Sequence, residues 1–522
     1  MMETVSRRMT DNETLPESWE WTTLSEIGTV TSGGTPKTKE PSNFDGDIPW
    51  ITPADLSGYT DKTIAQGRRN ISQKGLDSSS ARLLPEGTVV FSSRAPVGYV
   101  VIAGNPVSTN QGCKNLIPSD GVFNEYVFYY LKGSKSLAES YASGTTFLEL
   151  SAKAFGRLPI PLPPLNEQRR IVEKIEELFT KLDAGVRSLE QARAQLKSYR
   201  RSVLKAAVEG ELSREWREAH GDELEPASEL LKRILQERRE KFAGKKYKEP
   251  SSPDTSELPI LPDGWEWATV DQLASAEPNS LTDGPFGSNL KTAHYTASGP
   301  RVVRLQNIAP HTFIDEEAHI SDEHYEGLKK HAVYTGDLVI RALGEPAPVA
   351  CAIPSWLGRA IVKADCIKFR PAEDYVGLTY VMYALNSYPV QQRTTAIIHG
   401  IGRPRLNLTE IKNITIPLPP TVEQPEIAGE VERRFSVVDK LEATVEANLK
   451  QAAGLRQSIL KQAFSGELVP QDPDDEPASV LLERIREERQ ATTQKAGKTS
   501  VRARQKVSAG DQTLELFPEQ GE

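Results

Sequence analysis

What most limits the fold of this chain is an apolar stripe that occurs twice. Ile171, Ile175, Leu178, Leu182, Val186, Leu189, Leu196, Tyr199, Val203 and Ala207 step by three or four residues, with Ala192 or Arg193 filling the one gap. No proline interrupts the chain between Leu165 and Pro226. Such spacing, held for about five heptads, is the a/d seam of a long helix zipped against a partner helix. The partner is in the same chain. Ile427, Val431, Phe435, Val438, Leu441, Val445, Leu449, Ala452, Leu455 and Ile459 form a second stripe, most of it at a constant offset of 256 from the first. Ile171, Ile175, Leu182, Leu189, Leu196 and Val203, with Ile427, Val431, Val438, Val445 and Ile459, are therefore the expected seam.

The flanks repeat as well. Leu162-Pro163-Pro164-Leu165-Asn166-Glu167-Gln168 corresponds to Leu418-Pro419-Pro420-Thr421-Val422-Glu423-Gln424. Ser202-Val203-Leu204-Lys205 with Gly210-Glu211-Leu212 corresponds to Ser458-Ile459-Leu460-Lys461 with Gly466-Glu467-Leu468. A single stripe is usually an ordinary core-packed helix; two copies with matching flanks are a duplicated spacer.

Each spacer follows a globular unit. The first opens at Leu15-Pro16-Glu17-Ser18-Trp19-Glu20-Trp21 and the second at Leu261-Pro262-Asp263-Gly264-Trp265-Glu266-Trp267. A Trp-x-Trp pair alternates across a short strand, so that one indole faces a core and the other covers an edge. Inside each unit, strand-like runs (Ile48–Thr52 and Arg301–Leu305) precede a glycine turn that feeds a buried strand, at Glu86–Ser92 and Thr335–Arg341. Tyrosine-rich helices (Asn124–Leu131, Val376–Asn386) and proline-punctuated strands (Leu158–Leu162, Ile414–Leu418) follow. The middles of the two units diverge far more than their ends, as expected of one scaffold presenting two different surfaces. After each spacer, Glu225-Pro226-Ala227-Ser228 and Glu476-Pro477-Ala478-Ser479 start a short amphipathic helix, with proline near its first turn.

Size and composition narrow the class. A chain of 522 residues suggests two or three domains. No run approaches the ~18 apolar residues that span a bilayer, and the polar N-terminus has no signal-peptide core, so a cytoplasmic, membrane-free protein is expected. Cys113, Cys351 and Cys366 are too far apart for a disulfide framework or a cysteine-rich zinc site. The formal charge of -9 argues against coating nucleic acid by charge alone.

No catalytic constellation emerges. The sequence has no Walker A motif and no strand–G-x-G-x-x-G–helix fingerprint, no histidine pair at helical spacing, no amino-methyltransferase motif and no nuclease core. His311, His319, His324 and His331 read as a solvated face. What remains are binding loops. Thr31-Ser32-Gly33-Gly34-Thr35-Pro36-Lys37 combines amides, hydroxyls and a cation that can hold a phosphate oxygen, and Gly284, Gly287, Ser288 and Lys291 stand at the comparable place in the second unit. Arg94, Asn110, Gln111 and Lys114 gather in the first unit, and Arg304, Gln306, Asn307, Arg341, Arg403 and Arg405 in the second. Arg, Asn and Gln are the side chains that bond base edges bidentately in a major groove.

Taken together, the Leu-Pro-x-x-Trp-x-Trp starts, the glycine loops, the Pro-Pro…Glu-Gln lead-ins and the Gly-Glu-Leu exits resemble the specificity subunit of a type I restriction–modification system, over roughly residues 15 to 490. The resemblance implies an α+β fold with two similar target-recognition domains, each reading half of a split, asymmetric DNA site. The two long helices would pack as an antiparallel coiled coil that sets the spacer. It also implies a non-catalytic chain that binds double-stranded DNA, two methyltransferase subunits and the restriction subunits. No cofactor is expected here: S-adenosylmethionine would belong to the methyltransferase partner, and ATP and Mg2+ to the restriction subunit. The expected layout is a disordered 1–14, recognition domains over 15–164 and 261–420, and long helices over 165–211 and 421–466. A short helix and linker would occupy 212–260, and a short helix with a disordered tail 467–522. A helix of this length, at about 1.5 Å per residue, is roughly 60 Å long, just under two turns of B-DNA at ~34 Å each.

The second spacer departs from the first at Pro425, Gly429 and Gly454, so its rod is expected to be bent or weaker. Gln512–Phe517 loosely resembles peptides that bind the bacterial sliding clamp, implying a possible weak contact there. Two other readings compete: the recognition subunit of a methyltransferase-only or other DNA-modifying system, and a coiled-coil scaffold with no DNA role.

Overall fold

The computed structural model describes residues 15–144, 148–221, 224–244, 246–395 and 405–491. The expectations for residues 1–14, for the tail with its Gln512–Phe517 motif, and for Arg403 lie outside the described residues. Two compact units emerge, and only the second is one continuous stretch of chain. The first combines residues up to 188 with residues from 448 onward; the second is 189–447.

Both units open with the same small device. In the first, β1 (Glu20–Thr23) pairs antiparallel with the last strand, Pro159–Leu162, placing Trp21 opposite Pro161. In the second, Glu266–Thr269 pairs with Thr415–Leu418, placing Trp267 opposite Pro417. Proline is tolerated in such edge pairings because it has no N–H to offer a further strand. The free carbonyls of these strands are used by the tyrosine-rich helices: Tyr126 and Tyr130 donate their hydroxyls to Pro161 O and Pro159 O (2.7 and 2.5 Å), and Tyr380 donates to Pro417 O (2.8 Å).

A sheet forms the body of each unit, mixed in the first and antiparallel in the second. In the first, β2 (Gly28–Ser32), β9 (Cys113–Pro118), β6 (Val89–Ser93), β7 (Val97–Ala103) and β4 (Thr63–Ile64) lie in that order. Beside them, β5 (Arg69–Ile71), β3 (Phe44–Ile51) and β8 (Ser108–Thr109) make a three-stranded sheet in which β3 and β8 run parallel. The second unit repeats both sheets. Its main sheet orders Leu281–Asp283, Cys366–Phe369, Leu338–Arg341 and Val349–Ala352; its smaller sheet has Tyr295–Val303 parallel to Ala360–Val362.

The long helices span Leu165–Val208 and Glu423–Phe464. Pro425 sits in the first turn of the second, where a missing N–H is harmless, and that helix continues unbroken through Gly429 and Gly454. The Glu-Gln lead-ins explain themselves. Glu167 is fully buried and accepts from Trp19 Nε1 (3.0 Å) and Gln471 Nε2 (2.9 Å). Glu423, equally buried, accepts from Trp265 Nε1 (2.9 Å), Ser213 Oγ (2.6 Å) and Arg217 Nη1 (2.6 Å). Gln168 and Gln424 each hold a carbonyl of their own Pro-Pro segment and accept the backbone N–H of Phe123 and Gly377.

The exits close the units crosswise. Gly210 (φ +73°) ends the first helix against Pro262, at the start of the second head; a Cβ there would lie 2.6 Å from Pro262 Cγ. Gly466 (φ +80°) ends the second helix against Pro16, at the start of the first head. The short helix Ala227–Glu240 follows suit. It does not stand apart with the linker: Ala227, Leu230 and Ile234 are buried in one core with Trp265 and Tyr380. The helix at 478–491 likewise buries Ala478, Leu481, Leu482 and Ile485 in the core of the first head.

Within each unit the long helices run antiparallel. In the second, Arg200 meets Asp439 and Glu442, whereas Arg193, two turns earlier, meets Glu446 at 3.9 Å. In the first, Asp183 meets Arg456. Ile171, Ile175, Val203, Ile427, Val431, Val438 and Val445 are buried, whereas Leu182, Leu189, Leu196 and Ile459 are only half-buried. Tyr199, Leu441 and Leu455, at stripe positions, are exposed, and Phe179 is buried in preference to its half-buried neighbour Leu178. A single helix pair covers one narrow face, so positions at the margin of an apolar stripe remain in water.

The solvated reading of the histidines fails at two positions. His331 is buried, with Nδ1 2.6 Å from Asp283 O. His311 packs between the rings of Tyr383 and Phe435.

Candidate nucleic-acid interface

In each unit the ends of the main-sheet strands, the capped turn after β3 or its counterpart, and a late loop form one rim. The rims superpose by hydrogen bonds. Thr52 N donates to Asp55 Oδ2, and Arg304 N to Asn307 Oδ1, both at 2.8 Å. Asn110 N donates to Ile51 O, and Lys363 N to Val303 O, both at 2.9 Å. Ser93 N reaches Gly112 O and Ala342 N reaches Asp365 O; Leu150 N reaches Ser93 O and Leu406 N reaches Ala342 O. A Cβ on Gly33 would strike Asn110 O at 2.0 Å, and one on Gly284 would strike Lys363 O at 2.2 Å.

These matched contacts pair the side chains position by position. Ser92 corresponds to Arg341, Arg94 to Leu343, Asn110 to Lys363, Gly112 to Asp365, Lys114 to Ile367, Glu149 to Arg405 and Thr35 to Phe286. The frame is one; the chemistry on it is two. In the first unit, Thr35 donates its hydroxyl to Gln111 Oε1, Asn110 Oδ1 accepts from Gly112 N (2.9 Å), and Arg94 stands 3.7 Å from Glu149. Lys114 is buried, its ammonium bonded to Ser93 Oγ and Gln111 O, and burial pushes its pKa below the ordinary lysine value, with Arg94 acting in the same direction. In the second unit, Arg405 pairs with Asp365 (2.8 Å) and lies over the exposed Phe286 ring, while Lys363 lies over Tyr295. Arg341 ends its strand with a buried Nε that has no acceptor among the described residues. Asp365 holds φ +68°, a left-handed conformation that Asp and Asn tolerate better than other non-glycine residues.

Thus Thr35, Arg94, Asn110, Gln111 and Lys114 converge, as do Arg341 and Arg405. Gly33 and Gly34 do not present amides to a phosphate: their N–H groups donate to Cys113 O and Thr109 O, and both residues are buried. Gly284 is buried as well, whereas Gly287, Ser288, Lys291 and Lys37 are exposed on their loops. Arg304 and Asn307 serve the fold more than the surface. Asn307 is buried and donates to Ile314 O and Glu316 O; Arg304 donates to Glu316 O and Glu317 O; Gln306 between them is exposed. Sequence reasoning missed Lys363 and Asp365 as rim residues. Their signal was the position after a repeated strand, hidden because the loops around them have diverged.

Among the described residues no helix is long and apolar enough to cross a membrane, and no cluster of His, Cys, Asp and Glu could hold a metal ion.

Comparison with known proteins follows the same two-part layout. The family described as type I restriction modification DNA specificity domain matches residues 16–192 and 354–451, more than half of the chain. The EcoBI specificity subunit of Escherichia coli is 26% identical over 497 residues, covering 91% of this chain and 93% of that subunit. The MjaIX specificity subunit of Methanocaldococcus jannaschii is 44% identical over 165 residues, 31% of this chain and 38% of that subunit. A solved chain from work on complex assembly and conformational transition of the type I R-M system matches with a TM-score of 0.62 at 18% identity, covering 87% of this chain and 99% of its own length. The HsdS subunit from Thermoanaerobacter tengcongensis matches with a TM-score of 0.50 at 16% identity, covering 87% and 99%.

Proposed function

Because the chain belongs to the type I restriction–modification DNA specificity family, we propose that it is the subunit that selects the DNA sequence for such a complex, each rim reading one half of a bipartite, asymmetric site. One observation carries the reading: two rims built on one hydrogen-bonded frame carry different side chains at nearly every matched position. A single frame offers the same approach to a groove, and different side chains make the two half-sites unlike. The second rim, with Arg341, Lys363 and Arg405, suits acceptor-rich base edges. The first, with Asn110, Gln111 and Arg94, suits mixed donor and acceptor patterns.

The chain itself does no chemistry in this reading. Methyl transfer belongs to two methyltransferase subunits that bring S-adenosylmethionine, and cleavage to restriction subunits that bring ATP and Mg2+. The long helices set the gap between half-sites and offer the docking faces, and the complex works in the cytoplasm.

The test is a genome-wide map of methylated adenines in cells holding the partner subunits, with and without this gene and with rim variants. A split motif should vanish with the gene. Arg341→Ala with Arg405→Ala should relax one half of that motif, and Arg94→Ala with Gln111→Ala the other. Maps that do not change with the gene, or two rim variants that relax the same half, would sink the reading.

A further inference from the structure

We propose that Arg405 reads a guanine in the half-site of the second unit, and that Asp365 and Phe286 are the positioning residues that aim it. This rests on the reading of the rims as base-reading surfaces and adds which base one of them demands. Three stretches far apart in the chain meet just past the strand Leu338–Arg341. Ala342 N donates to Asp365 O (3.0 Å) and Leu406 N to Ala342 O (2.8 Å), while Arg405 bridges to Leu343. Gly284 packs on the Lys363 carbonyl with no room for a Cβ, which brings the Phe286 loop alongside.

On this frame the guanidinium of Arg405 is held from two sides. Its Nε stands 2.8 Å from Asp365 Oδ1, a charge contact rather than an aligned hydrogen bond. Its Cζ lies 5.0 Å from the centre of the Phe286 ring, which is itself 41% exposed. Among the described residues the two Nη groups have no acceptor. An end-on fork of two N–H donors matches O6 and N7 of guanine, whereas adenine sets an N6 amino donor beside N7 and repels it. The carboxylate behind the fork disfavours a phosphate in front of it, so the pair is directed at a base edge rather than at the backbone. A guanidinium already fixed by charge and ring also loses little freedom on binding. The first unit carries Thr35, Gly112 and Glu149 at the three matched positions, so its half-site makes no such demand.

The test is the methylated-adenine map of cells holding the partner subunits and single variants of this chain. One half of the split motif should contain a strict guanine. Arg405→Ala and Asp365→Asn should each relax that one position, lowering its discrimination by about 10- to 100-fold. The other half should stay strict, which reports an intact fold. Asparagine tolerates φ +68° as aspartate does, so this variant removes the charge without straining the turn. Phe286→Ala should relax the same position and Phe286→Tyr should keep it strict. Arg405→Lys, which keeps the charge but not the fork, should behave as Arg405→Ala. A uniform drop in methylation that Arg405→Lys restores would make Arg405 a phosphate contact and overturn the inference, while a split motif that still depends on the gene keeps the proposed function. Relaxation at a position other than guanine would overturn it too. Complete loss of methylation with Asp365→Asn would make the carboxylate part of the fold and overturn its positioning role. A map indifferent to the gene itself would overturn both readings.

Discussion

Glu167 and Glu423 occupy the same position in the repeat, yet replacing each by glutamine should have very different consequences. Glu423 Oε1 accepts from both Arg217 Nη1 and Ser213 Oγ, each at 2.6 Å, while Oε2 accepts from Trp265 Nε1. An amide at this place turns an NH2 group toward one set of these donors in either orientation. It also removes the charge partner of Arg217, whose side chain is only 15% exposed. Breaking one side of a buried ion pair costs about 3–5 kcal/mol. Among the described residues Glu167 has no ion-pair partner within 4 Å, whereas Glu423 has Arg217. The contacts of Glu167 are Trp19 Nε1 and the amide of Gln471, which can rotate to present oxygen at the loss of one hydrogen bond to Gly466 O (2.9 Å), and burial holds its carboxyl above the ordinary glutamate range. A neutral amide is tolerated there, and Glu167→Gln should cost about 1 kcal/mol or less. The assay is urea unfolding of the full chain followed by hydrogen exchange and mass spectrometry, which assigns lost protection to one unit or the other. Glu423→Gln should destabilise residues 189–447 and spare the first unit. Equal losses for the two variants, or a larger loss for Glu167→Gln, would refute the argument that the Arg217 pair is what differs between the copies.

Other outcomes follow from the same contacts. Burial, with Arg200 adding in the same direction, holds the His311 imidazole down at about 4 against an ordinary 6.5. A depressed pKa contributes stability that is present above pH 6.5 and lost as pH falls toward 4, by roughly 3 kcal/mol at most. His311→Asn keeps a residue suited to φ +62° and should flatten that slope in unfolding measured between pH 7 and 4. Gly429 and Gly454 have open space where a Cβ would go. Alanine at either should therefore raise stability by about 0.5–1 kcal/mol in thermal melts, and a loss would show that the helix needs their freedom. At Gly466, φ +80° and Pro16 Cγ only 2.4 Å from an added Cβ predict the opposite. Gly466→Ala should destabilise the first unit by about 1–3 kcal/mol, read by the same exchange experiment.

Much of the architecture was legible in local sequence. The heptad-like stripes mark the two long helices because burial along a helix repeats every three to four residues. The Pro-Pro…Glu-Gln and Gly-Glu-Leu flanks mark their ends because those residues make contacts few others can: a buried carboxylate for an indole N–H, and a glycine packed on a proline. The paired units were likewise readable, since Leu-Pro-x-x-Trp-x-Trp occurs twice.

Tertiary structure alone decided the rest. That the exit of the first helix closes the second head, and the exit of the second helix the first, depends on contacts such as Gly210 with Pro262 and Gly466 with Pro16, which no local periodicity encodes. Tyr199, Leu441 and Leu455 belong to the stripe by spacing but are exposed, because the face a helix buries is set by its partner's position. The rims show the same limit. Gly33 and Gly34 read as a phosphate loop, yet their amides are bonded within the fold; Lys363 and Asp365 drew no notice, yet strand pairing sets them beside Arg341 and Arg405. A side chain's type is written in the sequence, but whether it faces a neighbour or a ligand is settled by residues far along the chain.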